Sequence, residues 1–258
     1  MTKKEKKEDF MATFQDFKLQ DYCNEVIKEL GFQKPTPIQE KVIPLVLKNR
    51  DIIGISQTGT GKSHAFLLPI MSRIDVNKDC VQAVITAPTR ELAAQLFNNA
   101  KTFTKYLPEL RVSLIVGGSD RQRAVNKLST QPHVVIGTPG RIKDLSLDAQ
   151  ALQITTAKTF VVDEADMTLE FGYLEDIDAV AGKMSDDLQM MVFSATIPQN
   201  LRPFLKKYMQ SPVTIEIDSK LVTTANVEHI LLATKHQDRY DVLKKIMATI
   251  DPYICIIF

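Results

Sequence analysis

Short apolar runs rich in β-branched residues recur along the chain and alternate with amphipathic stretches. Seven of these runs predict β-strands, at Asp51–Ile55, Val81–Thr86, Val112–Val116, His133–Gly137, Thr159–Asp163, Met190–Ser194 and Val213–Ile217. A run that is apolar throughout is typical of a strand buried on both faces, as in a parallel sheet covered by helices. The alternation of strands and helices therefore predicts an α/β fold, with a doubly wound parallel sheet in a three-layer sandwich.

Helical spacing of apolar residues is found between these runs. The clearest amphipathic stretches are Arg90–Lys105, Gly118–Leu128 and Gln199–Met209. A further helix is predicted over Asp21–Leu30, before the first strand. Thr36 is predicted to cap a helix that begins near Pro37, with Gln39 at its third position.

The character of the sequence changes after Ile217. A polar stretch follows, and then come the patterns of a strand, a helix and a strand at Val227–Thr234, Arg239–Ile250 and Tyr253–Phe258. We therefore expect a flexible tail at 1–12, a main domain at 13–217, a linker at 218–224 and the truncated start of a second domain at 225–258.

The composition is that of an ordinary globular protein and favours no particular partner. The chain has 258 residues, enough for one large α/β domain or for one domain with part of another. Basic and acidic residues nearly cancel, which leaves a net charge of +1. Any contact with nucleic acid must therefore come from a local arrangement of basic side chains and backbone amides.

The three cysteines, Cys23, Cys80 and Cys255, lie far apart in the sequence. Their spacing predicts neither a zinc site nor a disulfide framework, and it indicates free thiols in a reducing cytoplasm. No apolar run approaches the roughly 18–20 residues that span a bilayer. The charged N-terminus also lacks the apolar region of a signal peptide.

A glycine-rich segment at 56–63, with the sequence Ser-Gln-Thr-Gly-Thr-Gly-Lys-Ser, follows the first predicted strand and precedes a helical pattern. Gly59 and Gly61 allow a tight turn in which successive N–H groups face one anion, and the helix N-terminus favours phosphate. Lys62 would reach the β- and γ-phosphates, and the Ser63 hydroxyl would ligate Mg²⁺. Taken alone, the segment is also compatible with an ordinary turn before a helix.

The predicted strand at 159–163 ends in a cluster of acids, Asp163, Glu164 and Asp166. Neighbouring carboxylates repel one another, and a divalent cation relieves the repulsion. Asp163 is a candidate for holding Mg²⁺ directly or through water, and Glu164 for orienting and deprotonating an attacking water. The alternative is a helix over Asp166–Asp178 with acids in its first turn. The phosphate loop upstream favours the functional interpretation.

The tetrad Asp163-Glu164-Ala165-Asp166 resembles the motif that names the DEAD-box family, and five other signatures of that family occur in its order. They are a Q motif at Gly31–Gln39 with the upstream aromatic Phe14, motif Ia at Pro88–Ala93, the GG pair Gly117-Gly118, motif Ib at Thr138–Arg141, and motif III at Ser194–Thr196. The resemblance covers residues 14 to 196. It also accounts for Ser56, because this family usually has a small residue other than glycine there. The chain therefore resembles the first RecA-like domain of a DEAD-box ATP-dependent RNA helicase.

The resemblance implies roles for individual residues. Lys62, Asp163 and Glu164 would be catalytic, with Mg²⁺ held by Ser63 and Asp163. ATP would be bound by Phe14, Phe32, Lys34, Gln39, Ser56, Gln57, Thr58, Gly59, Thr60, Gly61, Lys62 and Ser63. The Gln39 amide would pair with adenine N6 and N7, and Phe32 would stack on the base. RNA would be bound by Pro88, Thr89, Arg90, Gly117, Gly118, Thr138, Pro139, Gly140 and Arg141. Asp166, Ser194 and Thr196 would couple hydrolysis to domain movement.

The implied function is that of an ATP hydrolase that remodels RNA, using ATP and Mg²⁺. The family closes two RecA-like domains over ATP and RNA, so these residues alone are expected to be nearly inactive. RNA contacts to backbone and 2′-OH imply sequence-independent binding. We expect a cytoplasmic monomer without a membrane partner, with ribonucleoprotein or ribosome-assembly partners possible. Two alternatives stay open: a related ATPase that acts on DNA or a protein complex, and a non-catalytic RNA- or partner-binding module that retains the fold.

Overall fold

The structure is a computed structural model that describes residues 12–118, 120–217, 230, 233–234 and 238–255. Its strands form one seven-stranded sheet, made of β1 (Ile52–Ile55), β2 (Ala83–Thr86), β3 (Val112–Ile115), β4 (Val134–Gly137), β5 (Thr159–Val162), β6 (Gln189–Ser194) and β7 (Val213–Glu216). Each strand predicted between residues 51 and 217 is present, with ends within two residues of the prediction.

The strand order is β3-β4-β2-β5-β6-β1-β7, and every neighbouring pair is parallel. Strand β1 pairs Ile52 with Met191 on one side and with Val213 on the other. Because all strands run the same way, all of their carboxyl ends lie at one edge of the sheet. The predicted doubly wound parallel fold is confirmed.

Ten α-helices are described: α1 (Asp21–Glu29), α2 (Pro37–Leu47), α3 (Lys62–Met71), α4 (Arg90–Lys101), α5 (Arg121–Lys127), α6 (Pro139–Lys143), α7 (Ala165–Glu170), α8 (Leu174–Ala181), α9 (Arg202–Tyr208) and α10 (Arg239–Ile250). The predicted helix Arg90–Lys105 is α4 followed by a 3₁₀ turn, and Gln199–Met209 is a 3₁₀ turn followed by α9. A single helix over Asp166–Asp178 is wrong, because Gly172, with φ of 77°, ends α7 before α8 begins. No described helix has the length and apolar character needed to cross a membrane.

Two hydrophobic cores cover the two faces of the sheet. Alternate residues of the inner strands point to opposite cores, as Val161 and Val162 of β5 do. Helices α1 to α4 pack on the first face, and α6, α8 and α9 pack on the second. Gly54 in β1 is required by packing, since a Cβ there would lie 2.4 Å from the Phe193 ring.

Contacts divide the chain into two units, Met1–Ser219 and Lys220–Phe258, with a boundary inside the predicted linker. Most of the predicted tail at 1–12 and all of the predicted linker at 218–224 lie outside the described residues, so the four-segment organisation stays a prediction. The same holds for most of the predicted strand Val227–Thr234. The predicted helix Arg239–Ile250 is present as α10.

The predicted strand Tyr253–Phe258 is wrong in its described part, since Tyr253–Cys255 has no strand conformation. A strand is stabilised by pairing with a neighbouring strand, and the described residues of the second unit supply none. Apolar character alone therefore does not make this segment a strand.

Candidate nucleotide and nucleic-acid sites

Six loops that carry the sequence motifs meet at the carboxyl edge of the sheet. They are 56–61 after β1, 87–89 after β2, 116–118 after β3, Thr138 after β4, 163–164 after β5 and 195–198 after β6. Strands β3, β4 and β2 are consecutive neighbours, and so are β5, β6 and β1. The edge therefore has two sides, one made by each set of three strands.

The phosphate loop connects β1 to the N-terminus of α3. Gly61 is the N-cap with φ of 93°, and Gly59 has φ of 82°. The Thr60 hydroxyl donates to the Gln57 carbonyl at 3.0 Å, and the Ser56 amide donates to the Ser194 carbonyl at 3.1 Å. These bonds fix a tight turn at a helix N-terminus, which is an arrangement suited to binding phosphate.

Lys62, the first residue of α3, forms a buried ion pair with Glu164. Its Nζ lies 2.9 Å from Glu164 Oε1 and also donates to the Ser56 carbonyl at 3.1 Å. The two side chains are only 5% and 9% exposed. Glu164 has φ of 47° and stands at the N-cap of α7. The fold thus joins the phosphate loop to the acid cluster across 102 residues.

Asp163 lies at the end of β5, which only β6 separates from β1. At the usual strand spacing the ends of β1 and β5 are about 10 Å apart. Burial, followed by the negative charge of Glu164, raises the pKa of Asp163 to about 7. A nearby cation would favour its ionised form.

The acid cluster suits Mg²⁺ better than a metal held by protein ligands alone. Among the described residues, no group of three or more His, Cys, Asp or Glu side chains is arranged to hold a metal ion. Mg²⁺ commonly keeps several waters and binds through one or two carboxylates together with substrate phosphates. Asp163 and the hydroxyl of Ser63 are therefore a donor set that fits Mg²⁺ bound with a nucleotide.

Gln39 connects the Q motif to the phosphate loop. Its Oε1 accepts from the Thr36 amide at 2.9 Å, and its Nε2 donates to the Gly61 carbonyl at 3.2 Å. Each amide atom can make one more hydrogen bond, so the predicted pairing with adenine remains chemically available. A Cβ on Gly61 would lie 2.9 Å from Gln39 Nε2, so glycine is required at this junction.

The aromatic residues of the Q motif form a cluster. Phe32 stacks on Phe14 with centroids 6.3 Å apart, and its ring meets His64 edge-on at 5.0 Å. Phe14 is buried, which places it as a support for Phe32, and Lys34 is exposed on the same loop as Phe32. Sequence reasoning missed His64, whose burial lowers its pKa; only its position after Ser63 could have indicated it.

On the other side of the edge, the motifs of β2, β3 and β4 line a groove of about 600 Å³. The predicted RNA-binding residues in its lining are Pro88, Thr89, Arg90, Gly117, Thr138, Gly140 and Arg141. Pro139 is buried in the first turn of α6 and is not part of this lining. The fold therefore brings seven of the nine predicted residues to one concave surface.

Gly117 and Gly118 leave room for the guanidinium of Arg90, which packs against them. A Cβ on Gly118 would lie 2.6 Å from Arg90 Nη1, and one on Gly117 would lie 3.1 Å from Nη2. Gly118 also has φ of 91°, which side chains other than glycine rarely adopt. Gly118 itself is not in the lining, so its expected effect on the groove is through Arg90.

Four residues of the groove lining were not predicted from the sequence to bind RNA: Glu91, Asp144, Phe171 and Tyr173. Asp144 accepts from Arg121 Nε at 2.9 Å and from Arg141 Nη1 at 2.6 Å. These two arginines lower the pKa of Asp144, and the hydrogen bond from Arg121 has the larger effect. None of the four had been assigned a role from the motifs, so only the fold reveals them.

Asp166 contacts both of the residues predicted to couple with it. Its backbone amide donates to Ser194 Oγ at 3.0 Å. Its carboxylate accepts from the Thr196 amide at 3.1 Å and from the Thr196 hydroxyl at 3.4 Å. Strand β6 is thereby tied to the start of α7.

A parallel sheet of this order, with a phosphate loop after β1 and acids after β5, defines a RecA-like P-loop domain. The family model for DEAD/DEAH box helicases matches residues 36–204. The chain belongs to the DEAD/DEAH box helicase family.

Similar proteins agree with this assignment. The chain is 51% identical to the DEAD-box ATP-dependent RNA helicase CshB of Listeria monocytogenes, over 96% of the chain and 57% of that protein. It is 48% identical to CshB of Bacillus subtilis, over 95% of the chain and 56% of that protein. The crystal structure of a DEAD box protein from Methanococcus jannaschii matches 79% of the chain and 55% of its own length, with a TM-score of 0.73 and 32% identity. The chain thus spans 57% and 56% of the lengths of these two curated relatives.

Proposed function

We propose that the chain is the nucleotide-binding half of an ATP-dependent RNA helicase. It would hydrolyse ATP with Mg²⁺ when RNA is bound and a second domain completes the site. The observation that carries this proposal is the shared sheet edge. One side holds the phosphate loop and the buried Lys62–Glu164 pair, and the other holds a groove lined by the predicted RNA-binding residues.

At the nucleotide side, the phosphates compete with Glu164 for the ammonium group of Lys62. When Lys62 turns to the β- and γ-phosphates, Glu164 is released to orient the attacking water and accept its proton. Ser63 and Asp163 would hold Mg²⁺, which neutralises developing charge on the phosphates when bound. The 2.9 Å contact between Lys62 and Glu164 supports this exchange, because it places both groups at one point.

At the base, Gln39 and Phe32 select adenine. The Gln39 amide offers a donor to N7 and an acceptor for the N6 amino group, which guanine does not match. Phe32 supplies an apolar face for the base. Thr36 and Gly61 support the proposal, because their bonds with Gln39 fix the orientation of its amide.

In the groove, Arg90 and Arg141 grip phosphates, and the hydroxyls of Thr89 and Thr138 bond backbone oxygens or 2′-OH groups. This predicts RNA binding that does not depend on sequence. We also propose a cytoplasmic protein, supported by the free thiols of its cysteines. A monomeric state and ribonucleoprotein or ribosome-assembly partners stay predictions.

ATP turnover measured with RNA, with DNA and without nucleic acid tests the proposal. The two samples are the 258-residue chain and a protein completed by a second RecA-like domain. We expect negligible turnover by the chain alone and RNA-dependent turnover by the completed protein. In other NTPases, an arginine that a second domain or a partner protein supplies raises the rate of hydrolysis ~10³–10⁵-fold. Equal stimulation by DNA would favour the DNA-directed alternative. Absence of turnover in the completed protein would favour a binding module.

A further inference from the structure

Two aromatic side chains without a role in the motifs, Phe171 and Tyr173, line the groove beside Arg90 and Arg141. Phe171 is 52% exposed, whereas Tyr173 is half-buried. The ring centroids are 6.4 Å apart and the ring planes are inclined by 63°, an edge contact. Tyr173 therefore supports Phe171 from the side, and about half of the Phe171 surface remains available to a ligand.

The backbone fixes the position of this pair. Phe171 is the C-cap of α7, and Gly172 then adopts a φ of 77°. The Gly172 amide donates to the Leu169 carbonyl at 2.9 Å, and the Tyr173 amide donates to the Thr168 carbonyl at 3.0 Å. Such a closed helix end fixes the backbone that carries the ring, so little backbone freedom is lost on binding.

The charges of the groove decide which part of a nucleic acid can lie over Phe171. The guanidinium groups of Arg90 and Arg141 attract phosphates, whereas the carboxylates of Glu91 and Asp144 in the same lining repel them. An uncharged base fits an apolar ring. Sites for single-stranded nucleic acids commonly combine cations along the backbone with aromatic side chains on which bases stack.

We propose that Phe171, supported by Tyr173, is a stacking subsite for one unpaired base of the RNA in this groove. The inference rests on the proposed RNA groove and adds to it a contact with the base. The contact is independent of base identity, because every base offers a π-face. It therefore agrees with binding that ignores sequence.

The test compares the affinity of the 258-residue chain for two labelled strands by fluorescence anisotropy at low salt. One is a single-stranded RNA, and the other is the same strand with abasic riboses at its central positions. Stacking on one aromatic side chain predicts that the wild-type chain prefers the base-bearing strand by about fivefold to a hundredfold. Phe171→Ala should bring this ratio close to one, and Phe171→Trp should preserve it.

Two variants serve as controls. Tyr106→Ala removes another exposed aromatic side chain and should leave the ratio unchanged. Arg90 begins α4, whereas Tyr106 follows the C-terminal end of the same helix. Arg90→Ala should weaken binding of both strands by the same factor, because it removes a phosphate contact. Thermal unfolding of each variant shows whether it is folded. Because Phe171 is exposed, we expect both Phe171 variants to fold.

The outcomes separate the two proposals. A full preference for bases in Phe171→Ala, or no preference in the wild-type chain, would overturn the stacking subsite and leave the RNA groove intact. If the wild-type chain bound neither strand, or if Arg90→Ala bound both strands as the wild type does, the groove itself would be refuted and the subsite with it.

Discussion

The two sides of the sheet edge hold their charges in opposite ways. On the nucleotide side, Lys62 and Glu164 are almost completely buried and pair at 2.9 Å. On the groove side, Arg90 is exposed beside an open space of about 600 Å³, and the Arg141 side chain, 13% exposed, pairs with Asp144 at 2.6 Å. The nucleotide side is therefore closed by contacts within the chain, and the groove is open to solvent.

This difference indicates where substitutions act most strongly. A buried charge whose partner is removed carries a large desolvation cost, whereas exposed charges are solvated and screened by salt. We expect large effects on chemistry and folding at the nucleotide side, and smaller, salt-dependent effects on binding at the groove. The following predictions run from the largest effect to the smallest.

Glu164→Gln should have the largest effect, on catalysis. Loss of a positioned base predicts a fall of ~10²–10⁴-fold in RNA-dependent ATP turnover of the completed protein. ATP binding should not weaken, because a neutral amide competes less with phosphate for Lys62. Turnover and nucleotide affinity are measured on the same samples. Unchanged turnover would remove Glu164 from the catalytic role.

Lys62→Ala should have the largest effect on stability. The change leaves Glu164 buried without its partner, and breaking a buried pair typically costs about 3–5 kcal/mol of unfolding free energy. The matched control is Lys207→Ala, which removes an exposed lysine paired with Asp178 at 2.8 Å. Chemical denaturation should show a clearly lower free energy of unfolding for Lys62→Ala and no resolvable change in it for Lys207→Ala. Similar losses would mean that burial does not distinguish the two sites.

Gly118→Ala should act at the groove through Arg90. A left-handed backbone costs a residue other than glycine about 1–2 kcal/mol, and the new Cβ displaces the guanidinium. Gly31→Ala is a matched control, since Gly31 has φ of 69° and a Cβ added there would meet no atom within 4 Å. Both variants should lose similar stability, but only Gly118→Ala should bind RNA more weakly in an anisotropy titration. Equal RNA affinities would contradict the seating of Arg90 by Gly118.

Thr196→Ala should have the smallest effect. It removes only the 3.4 Å hydroxyl contact to Asp166, because the Thr196 amide still donates at 3.1 Å. We expect a change below about 0.5 kcal/mol in unfolding free energy, as at other exposed sites. Ser194→Ala, at a fully buried position, removes the acceptor of the Asp166 amide and should cost about 1–3 kcal/mol. Equal costs in denaturant titrations would contradict the distinction.

The strands could be predicted from the sequence because buried parallel strands are continuous apolar runs, such as Val134–Gly137. Their order could not, since it depends on pairing between distant segments. Strand β1, for example, lies between β6 and β7. The described part of the strand predicted at Tyr253–Phe258, Tyr253–Cys255, has no strand conformation, which shows that apolar character alone is not a sufficient signal.

The candidate site shows the same limit. Residues within one motif, such as Gly59 and Lys62, could be predicted because local spacing is enough. The pairing of Lys62 with Glu164 joins residues 102 positions apart, and Asp144 meets Arg121 across 23 positions. Phe171 had no role in any motif, and only the fold shows that it lines the groove.

The most direct test of the proposed nucleotide site asks whether Asp163 is needed for the effect of Mg²⁺ on ATP binding. ATP is titrated calorimetrically into the 258-residue chain, with Mg²⁺ and with a chelator, for the wild type and for Asp163→Asn, with the exposed Asp187→Asn as a control. We predict that the wild type and Asp187→Asn bind ATP more tightly with Mg²⁺, and that Asp163→Asn binds it equally weakly in both conditions. An Asp163→Asn variant that kept the full Mg²⁺ dependence would contradict the proposed role of Asp163 in binding ATP with Mg²⁺.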